Sequence, residues 1–318
     1  MIIIFSEVND EPTNNVIKWI KHYKKEYLRI NYLDFFESGK STLKFTNDEF
    51  LLEINDRSIA IDDITSVWYR RKPKLNTRKI EYVLENKVDD IYQYILNENI
   101  VILDFFKVLL NNCKVRIGNP FIYNLNKLEV LYYARTIGFK IPNTLISNAG
   151  DSINSFVEAN DQLINKPISN INTFKIGDKS FTNYTKAFTM NDLSGGINER
   201  MNLFQQKIDK QCEIRTFVLD KQTFSMAIYD QTDSDDYREN SYTEKLSFTR
   251  FKLPEIMEEK IFQLMDKFEM NTCSVDFLLD KSNEFVFLEL NPVGQYGFLN
   301  YPNNYQIDQV IAKKLCQL

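Results

Sequence analysis

A single histidine, His22, occurs among the 318 residues, and this scarcity argues against several kinds of active site. A Ser-His-Asp triad and a Cys-His pair each need a histidine beside the nucleophile. Zinc centres commonly combine histidine with cysteine or carboxylate ligands. We therefore expect acid–base and electrostatic work to be done by carboxylates, lysine, arginine or the substrate itself.

The sequence also lacks closely spaced cysteine motifs, long apolar runs and an excess of positive charge. The four cysteines show neither CxxC spacing nor dense pairing, which is typical of reduced thiols in a cytoplasmic protein. No stretch approaches the roughly 18 uncharged apolar residues of a membrane-spanning helix. The segment Met1–Val8 lacks the basic region of a signal peptide and is predicted to form a strand. The net charge of −5 predicts no general attraction to nucleic acid or to an anionic membrane.

The first part of the chain alternates between strand-like and helix-like patterns, which favours an open α/β lobe over residues 1–118. An apolar run at 2–5 and a helical spacing over 16–27 begin the lobe. A strand at 27–32, a hairpin across Asn55 and Asp56, a strand from Val67 ended by Pro73, and a helical pattern over 80–112 complete it.

A turn at Gly118 predicts a boundary, after which we expect two α+β lobes at 119–205 and 206–318. The middle lobe opens with an amphipathic helix that Gly138 ends, and its polar stretch predicts a hairpin followed by a loop. The last lobe contains strong alternating patterns. Its predicted elements are strands at 212–219, 223–229, 274–279 and 284–290 and a helix at 255–268.

Two carboxylates near the C-terminus are the most informative polar residues. The segment 273–292 predicts two antiparallel strands joined by a turn at 280–283. The two-residue period places Glu289 and Asn291 on one face, and Asp276 on the partner strand reaches that face in a suitable register. Carboxylate and amide oxygens suit Mg²⁺. The alternative is that these are ordinary solvent-facing positions of a hairpin.

Several basic residues stand next to predicted turns and element ends. Lys127 begins a helix, where its charge opposes the helix dipole unless an anion compensates it. Lys166 precedes Pro167, Arg238 follows a strand, and Arg70 and Arg71 end one. A guanidinium group gives bidentate stabilisation of a phosphoryl group. Taken singly, each of these charges is better explained as an exposed surface group.

In their order along the chain, these pieces resemble the ATP-grasp superfamily. More narrowly, the chain is similar to the ATP-grasp maturases of graspetides, the microviridin-type peptides. The resemblance covers nearly the whole chain. It rests on the following segments: Trp68-Tyr-Arg-Arg, Asn126-Lys127, Asn165-Lys166-Pro167, Gln205-Gln-Lys-Ile, Glu213-Ile-Arg215, Asp236-Tyr-Arg-Glu-Asn240, Asp276 with Glu289-Leu-Asn291, and Pro292-Val-Gly-Gln-Tyr296.

The resemblance implies ATP and Mg²⁺ as cofactors and a role for each matching residue. Lys127 and Lys166 would hold ATP phosphates, and Arg70 and Arg71 would face the acceptor substrate. Asp276, Glu289 and Asn291 would hold Mg²⁺. The remaining implied roles are an adenine-binding hinge at Gln206, Lys207 and Ile208, a ribose contact at Glu213, γ-phosphate contacts at Arg215, Arg238 and Asn240, and a candidate proton acceptor at Asp236.

The function implied is activation of Asp or Glu side chains of a ribosomal precursor peptide as acyl phosphates. Ser or Thr hydroxyls, or Lys amines, of the same peptide would then form esters or amides. A homodimer is also implied. Two alternatives stay open: an amino-acid or protein-tail ligase of the glutamate type, and a non-catalytic ATP- or peptide-binding scaffold. One departure from the superfamily is that the segment 169–202 is poor in glycine.

Overall fold

A computed structural model describes residues 1–31, 35–36, 39–71, 89–120, 122, 125–160, 162–169, 173–176, 179–182, 185–189, 200–230 and 246–318. The chain divides into two compact units, each built from separate segments. Unit 1 comprises Met1–Tyr123, Glu269–Thr272 and Tyr305–Leu318, and unit 2 comprises Asn124–Phe268 and Cys273–Asn304. No helix in these described ranges is long and apolar enough to span a membrane.

Unit 1 is built on a four-stranded parallel sheet in the order β2-β1-β6-β7. Its strands are β1 (Ile2–Ser6), β2 (Tyr27–Asn31), β6 (Ser66–Tyr69) and β7 (Val115–Ile117). Every residue of β1 is buried, as expected for a continuous apolar strand covered on both faces. The predicted strands at 2–5 and 27–32 are confirmed, whereas the strand from Val67 ends at Tyr69.

The helices of this unit with described bounds are α1 (Glu11–His22), α2 (Asp89–Phe105), α3 (Val108–Asn112) and α8 (Ile307–Cys316). Helix α1 starts earlier than the helical spacing predicts, because Asp10 caps it by accepting from the Thr13 amide and Pro12 suits the first turn. Helix α8 packs against α1, and the Ser66 hydroxyl donates to the Leu315 carbonyl at 2.7 Å.

A three-stranded antiparallel sheet in the order β3-β4-β5 also belongs to unit 1. It contains β3 (Ser41–Phe45), β4 (Phe50–Ile54) and β5 (Arg57–Ala60), and a 3₁₀ turn follows at Ile61–Asp63. The hairpin across Asn55 and Asp56 is confirmed, and both of these residues have the positive φ that its tight turn requires. Strand β3 was not predicted.

The core of unit 1 lies between the parallel sheet and its neighbours. Phe5 stacks on Tyr69 with ring centroids 4.9 Å apart and meets Phe106 at 5.1 Å. Leu52 and Ile54 of β4 join the same buried cluster. The two sheets of unit 1 therefore share one apolar core.

Unit 2 contains a smaller antiparallel sheet in the order β12-β9-β13-β8 and a separate hairpin. The strands are β8 (Thr144–Ser147), β9 (Leu163–Lys166), β12 (Lys186–Phe188) and β13 (Asn202–Gln206), and the hairpin pairs β10 (Thr173–Ile176) with β11 (Lys179–Thr182). Helix α5 (Gly150–Glu158) buries Ile153 against Leu163, Phe188 and Phe204 of this sheet.

The larger sheet of unit 2 has five strands in the order β16-β15-β14-β17-β18. They are β14 (Lys210–Leu219), β15 (Gln222–Asp230), β16 (Leu246–Phe251), β17 (Thr272–Asp280) and β18 (Phe285–Asn291), accompanied by α4 (Lys127–Ile137), α6 (Glu255–Lys267) and α7 (Gly297–Asn303). The predicted helices at 126–137 and 255–268 are confirmed. Asn126 caps α4, and Gly138 ends it in the left-handed conformation.

Helix α4 packs along β18, and the segment after the helix contacts the hairpin β17–β18 near its turn. The ring of Phe139 lies 5.3 Å from Phe287 and 5.7 Å from Phe277, and the Phe287 amide donates to the Lys140 carbonyl at 2.8 Å. This packing fixes the start of α4 near the far end of β18.

Candidate active site

The carboxylates of the hairpin β17–β18 are brought together by its register. Asp276 lies directly opposite Glu289, and Ser274 lies opposite Asn291. Directly opposed residues of an antiparallel pair point to the same face, so Asp276, Glu289 and Asn291 share one face. A register shift between Asp276 and Phe277 makes a bulge beside the pair. Bulges of this kind often re-aim a side chain next to a functional site.

Asp276 carries the most perturbed carboxyl group of this cluster. Its side chain is 21% exposed, but its Oδ1 atom is shielded from solvent and accepts no hydrogen bond from the residues described. Burial raises the pKa of Asp276, the Arg215 guanidinium lowers it, and the carboxylates of Glu289 and Glu213 raise it further, with a net pKa of about 7. The hairpin thus concentrates negative charge that a cation would relieve.

These groups fit a magnesium ion. Two carboxylates and an amide supply hard oxygen ligands, and a shielded carboxylate oxygen without a hydrogen-bond donor is the atom that a cation would take. Asn291 donates its Nδ2 to Glu289 Oε1 at 3.1 Å, which orients Glu289. No cluster of three or more His, Cys, Asp or Glu side chains able to bind a metal occurs among the described residues.

Lys127 reaches this cluster from the first turn of α4. Its Nζ lies 3.8 Å from Glu289 Oε2, and both side chains are 32% exposed. The helix dipole disfavours a positive charge at the start of a helix. The Glu289 carboxylate partly offsets this cost for the Lys127 ammonium. A phosphate group near Glu289 would come within reach of the same ammonium.

Strand β14 contributes a second charged pair. Arg215 Nε lies 3.5 Å from Asp276 Oδ1. Glu213, two residues earlier, shares its face and accepts from Lys210 Nζ at 2.7 Å. Lys210 was not among the predicted site residues. Its spacing of three from Glu213 puts the two on opposite faces of a regular strand, so sequence spacing carries no signal for this contact.

The predicted hinge and the second lysine lie on the smaller sheet of unit 2. Lys166 ends β9, is half-buried, and lies opposite Leu203 of β13. The amides of Gln206 and Lys207 donate to the carbonyls of Asn143 and Gln162, both at 2.9 Å. The amides of Gln206 and Lys207 are therefore already used within the protein. Adenine contacts in the segment 206–208 would have to use its remaining backbone amide and carbonyl groups.

The two arginines predicted to face the substrate lie in unit 1, where both bind Asp10. Arg70 Nε lies 3.2 Å from Asp10 Oδ2, and Arg71 Nη2 lies 2.6 Å from Asp10 Oδ1. Burial alone raises the pKa of Asp10, but Arg70, a Thr13 hydrogen bond and Arg71 together hold it below its ordinary value. Asp10 was not predicted, although an aspartate before Glu-Pro after a strand is a helix-capping signal.

The structure thus links five predicted site residues through one chain of contacts: Lys127, Glu289, Asn291, Asp276 and Arg215. Asp236, Arg238 and Asn240 lie outside the described residues. Lys166 and the hinge are placed on the neighbouring sheet of the same unit. Arg70 and Arg71 belong to the other unit.

This architecture is the ATP-grasp fold, which confirms the predicted α/β class. The chain matches a RiPP-associated ATP-grasp ligase from Chryseobacterium gregarium, in complex with ADP and a leader and core peptide, at 22% identity and TM-score 0.84, over 99% of this chain and 96% of that one. It matches the macrocyclase MdnC from Microcystis aeruginosa, bound with precursor peptide MdnA, at 23% identity and TM-score 0.81, over 100% and 99%.

A third similar structure is the ATP-grasp ligase PsnB complexed with a phosphomimetic variant of a minimal precursor, Mg and ADP. It matches at 13% identity and TM-score 0.78, over 99% of this chain and 97% of that one. The resemblance to the peptide maturases is confirmed at the level of the fold. No protein-family model and no curated protein sequence matches the chain.

Proposed function

We propose that the chain is an ATP-dependent ligase that joins Asp or Glu side chains of a ribosomal precursor peptide to Ser or Thr hydroxyls or Lys amines. The observation that carries this proposal is the shared face of Asp276, Glu289 and Asn291, with Arg215 and Lys127 against it. The similar structures that hold precursor peptides support the choice of a peptide substrate.

The nucleotide site lies in unit 2 in this proposal. Lys127 and Lys166 hold phosphate oxygens, the segment 206–208 meets adenine, and Glu213 accepts from the ribose. Lys210 holds the Glu213 carboxylate at 2.7 Å and so limits its rotation. Asp276, Glu289 and Asn291 hold Mg²⁺, which when bound supplies charge neutralisation for the β- and γ-phosphates.

Reaction then proceeds in two displacements. A carboxylate oxygen of the peptide attacks the γ-phosphorus, the bond to the β-phosphate oxygen breaks, and ADP leaves. Arg215, with Arg238 and Asn240, stabilises the negative charge on the transferring group. A hydroxyl or amine of the peptide next attacks the acyl carbon, phosphate leaves with the bonding electrons, and Asp236 accepts the proton of the nucleophile.

The proposal extends to domain organisation, oligomeric state and cell compartment. The lobes at 1–118, 119–205 and 206–318 are proposed as the functional divisions of the fold. A cytoplasmic homodimer is proposed from the resemblance to the maturases. The four free cysteines, all buried, are consistent with a reducing compartment.

Mass spectrometry of the protein incubated with ATP, Mg²⁺ and a precursor peptide encoded beside its gene tests the function. We expect a loss of about 18 Da, one water, per linkage, with one ADP formed each time. An unchanged peptide mass, with ATP consumed only after free amino acids are added, points to the amino-acid ligase. An unchanged mass with ATP bound but not consumed points to the scaffold.

A further inference from the structure

Asp10, Arg70 and Arg71 lie at the C-terminal edge of the parallel sheet in unit 1. Strand β1 has β2 on one side and β6 on the other, so the order of the strands reverses at β1. In open α/β sheets, ligands bind outside the carboxyl ends of the strands at such a point. Asp10 lies in the loop after β1, and Arg70 and Arg71 follow β6 directly.

We propose that Asp10 is a positioning residue that separates the roles of the two arginines: Arg70 completes a buried ion cluster, and Arg71 presents its guanidinium group to a carboxylate of the precursor peptide. The identity of the substrate rests on the proposed function. The division of roles rests on burial and hydrogen-bond geometry within unit 1.

Burial separates the two arginines. The side chains of Asp10 and Arg70 are 1% and 2% exposed, whereas that of Arg71 is 28% exposed. Arg70 is thus enclosed with its carboxylate partner. Arg71 is the member of the pair that a dissolved or docked carboxylate reaches.

Arg70 and Arg71 share the single carboxylate of Asp10. Arg71 directs Nε and Nη2 to the same oxygen, Asp10 Oδ1, at 2.7 and 2.6 Å. Its Nη1 takes no part in that pairing. A guanidinium fork of this kind is suited to a second, incoming carboxylate.

The cluster is held rigidly from both sides. Asp10 Oδ2 accepts from the Thr13 amide at 3.2 Å and from the Thr13 hydroxyl at 2.5 Å, and Ser6 Oγ lies 2.9 Å from Thr13 Oγ1. On the other side, Arg29 donates to the carbonyls of Glu7 and Val8. The loop that carries Asp10 is therefore fixed before any substrate binds, which lowers the entropic cost of binding.

A double-mutant cycle between protein and peptide tests the proposal. Binding of a fluorescently labelled precursor is measured by anisotropy on the full chain with a non-hydrolysable ATP analogue and Mg²⁺. The same precursor is also made with its core Asp and Glu replaced by Asn and Gln. The variants are Arg71→Gln, Arg71→Lys and Asp10→Asn. Lys18→Gln is the matched control, because Lys18 is an exposed charge on α1 of the same unit.

We expect Arg71→Gln to weaken binding of the acidic precursor about tenfold or more and to leave the neutral precursor unaffected. Arg71→Lys restores part of the loss, and Lys18→Gln changes neither peptide. Asp10→Asn gives the same selective loss and adds nothing to Arg71→Gln, since both act through one guanidinium group. Affinity for the ATP analogue stays unchanged in every variant.

Equal weakening of both peptides, or no weakening, overturns the assignment of Arg71. Arg71→Gln keeps the buried Asp10–Arg70 pair, so the test does not depend on Asp10→Asn folding. Ring formation by the wild-type chain is measured separately by mass spectrometry. If Arg71→Gln selectively weakens binding of the acidic precursor but the wild-type chain forms no rings, only the proposed chemistry is rejected. If rings form but Arg71→Gln does not weaken binding selectively, only the role of Arg71 is rejected.

Discussion

Glu289 is the single residue on which the metal assignment depends most. Replacing it by Gln keeps its shape and its contact with Asn291 but removes the charge that would bind Mg²⁺. We expect turnover of precursor and ATP to fall by about a hundredfold or more, with folding intact. Turnover is measured by ADP release and folding by thermal unfolding.

Glu284→Gln is the matched control for this substitution. Glu284 lies in the turn of the same hairpin, is 60% exposed and pairs with Lys140. Its loss leaves turnover unchanged. Survival of turnover in Glu289→Gln would show that the metal is held elsewhere.

Asp10 makes the stability of the protein depend on pH on the acid side. Its pKa is lowered in the folded protein, so the folded state binds fewer protons than the unfolded chain. The stabilisation is complete above the unfolded pKa of about 3.9 and is lost as pH falls through the folded pKa. Asp10→Asn therefore flattens the acid limb of the stability curve, measured by urea unfolding at a series of pH values.

The exposed carboxylate of Asp48, in the turn between β3 and β4, provides the comparison. The acid limb of Asp10→Asn is compared with that of Asp48→Asn under the same conditions. An unchanged acid limb in Asp10→Asn would mean that the ion cluster adds no pH-dependent stability.

Sequence patterns were sufficient for some of these residues and insufficient for others. The common face of Glu289 and Asn291 follows from the two-residue period of a strand. The pairing of Asp276 with Glu289 also needs the turn at 280–283 to set the register. The sharing of Asp10 by Arg70 and Arg71 depends on parallel strands far apart in sequence, and no local pattern encodes that contact.

At the scale of elements, the turn after β7 depends on a glycine for two separate reasons. Gly118 has φ +80°, and a Cβ atom there would lie 2.6 Å from the Tyr69 carbonyl oxygen. Gly39 has φ +66°, and a Cβ atom there would meet nothing within 4 Å. Gly39→Ala therefore carries only the backbone strain of about 1–2 kcal/mol.

We expect Gly118→Ala to cost about 1–3 kcal/mol more than Gly39→Ala, because the backbone must also move away from Tyr69. The free energy of unfolding in urea measures both substitutions. Equal losses would show that the close approach to Tyr69 relaxes without cost.

Element boundaries were predicted best where caps and turns are local. Asn126 and Gly138 bound α4 as expected, since each side chain or φ angle acts on its own helix end. The start of α1 was placed too late, because the polar pair at 14 and 15 hides a helix that Asp10 begins. The bulge after Asp276 and the strand β3 depend on partner strands, which a linear pattern does not contain.

At the scale of the whole molecule, the proposed cofactors predict a ligand-dependent stability. A non-hydrolysable ATP analogue with Mg²⁺ should add about 2.7 kcal/mol at roughly one hundred times its dissociation constant. Removing Mg²⁺ with EDTA lowers this gain, since Asp276 and Glu289 then repel the phosphates. Thermal unfolding with and without EDTA measures how much of the gain in stability depends on Mg²⁺. We expect Asp276→Asn to make this Mg²⁺-dependent part smaller. Equal gains with and without EDTA would contradict a magnesium-dependent site.

The α/β class and the ATP-grasp fold were predictable because the motifs occur in the right order along the chain. The composition of unit 1 from three separate segments was not. Residues 269–272 and 305–318 return to it after most of unit 2, and only the folded chain reveals this. Such returns depend on tertiary packing, as between α1 and α8, and not on local propensity.

That return of α8 has a consequence for biosynthesis. The ribosome releases the chain from its N-terminus, so α1 cannot pack against α8 until all of unit 2 has been made. Until then the partner surface of α1 lacks its cover, and the Ser66 hydroxyl lacks the Leu315 carbonyl. The growing polypeptide therefore exposes this surface of α1 to solvent until α8 has been synthesised.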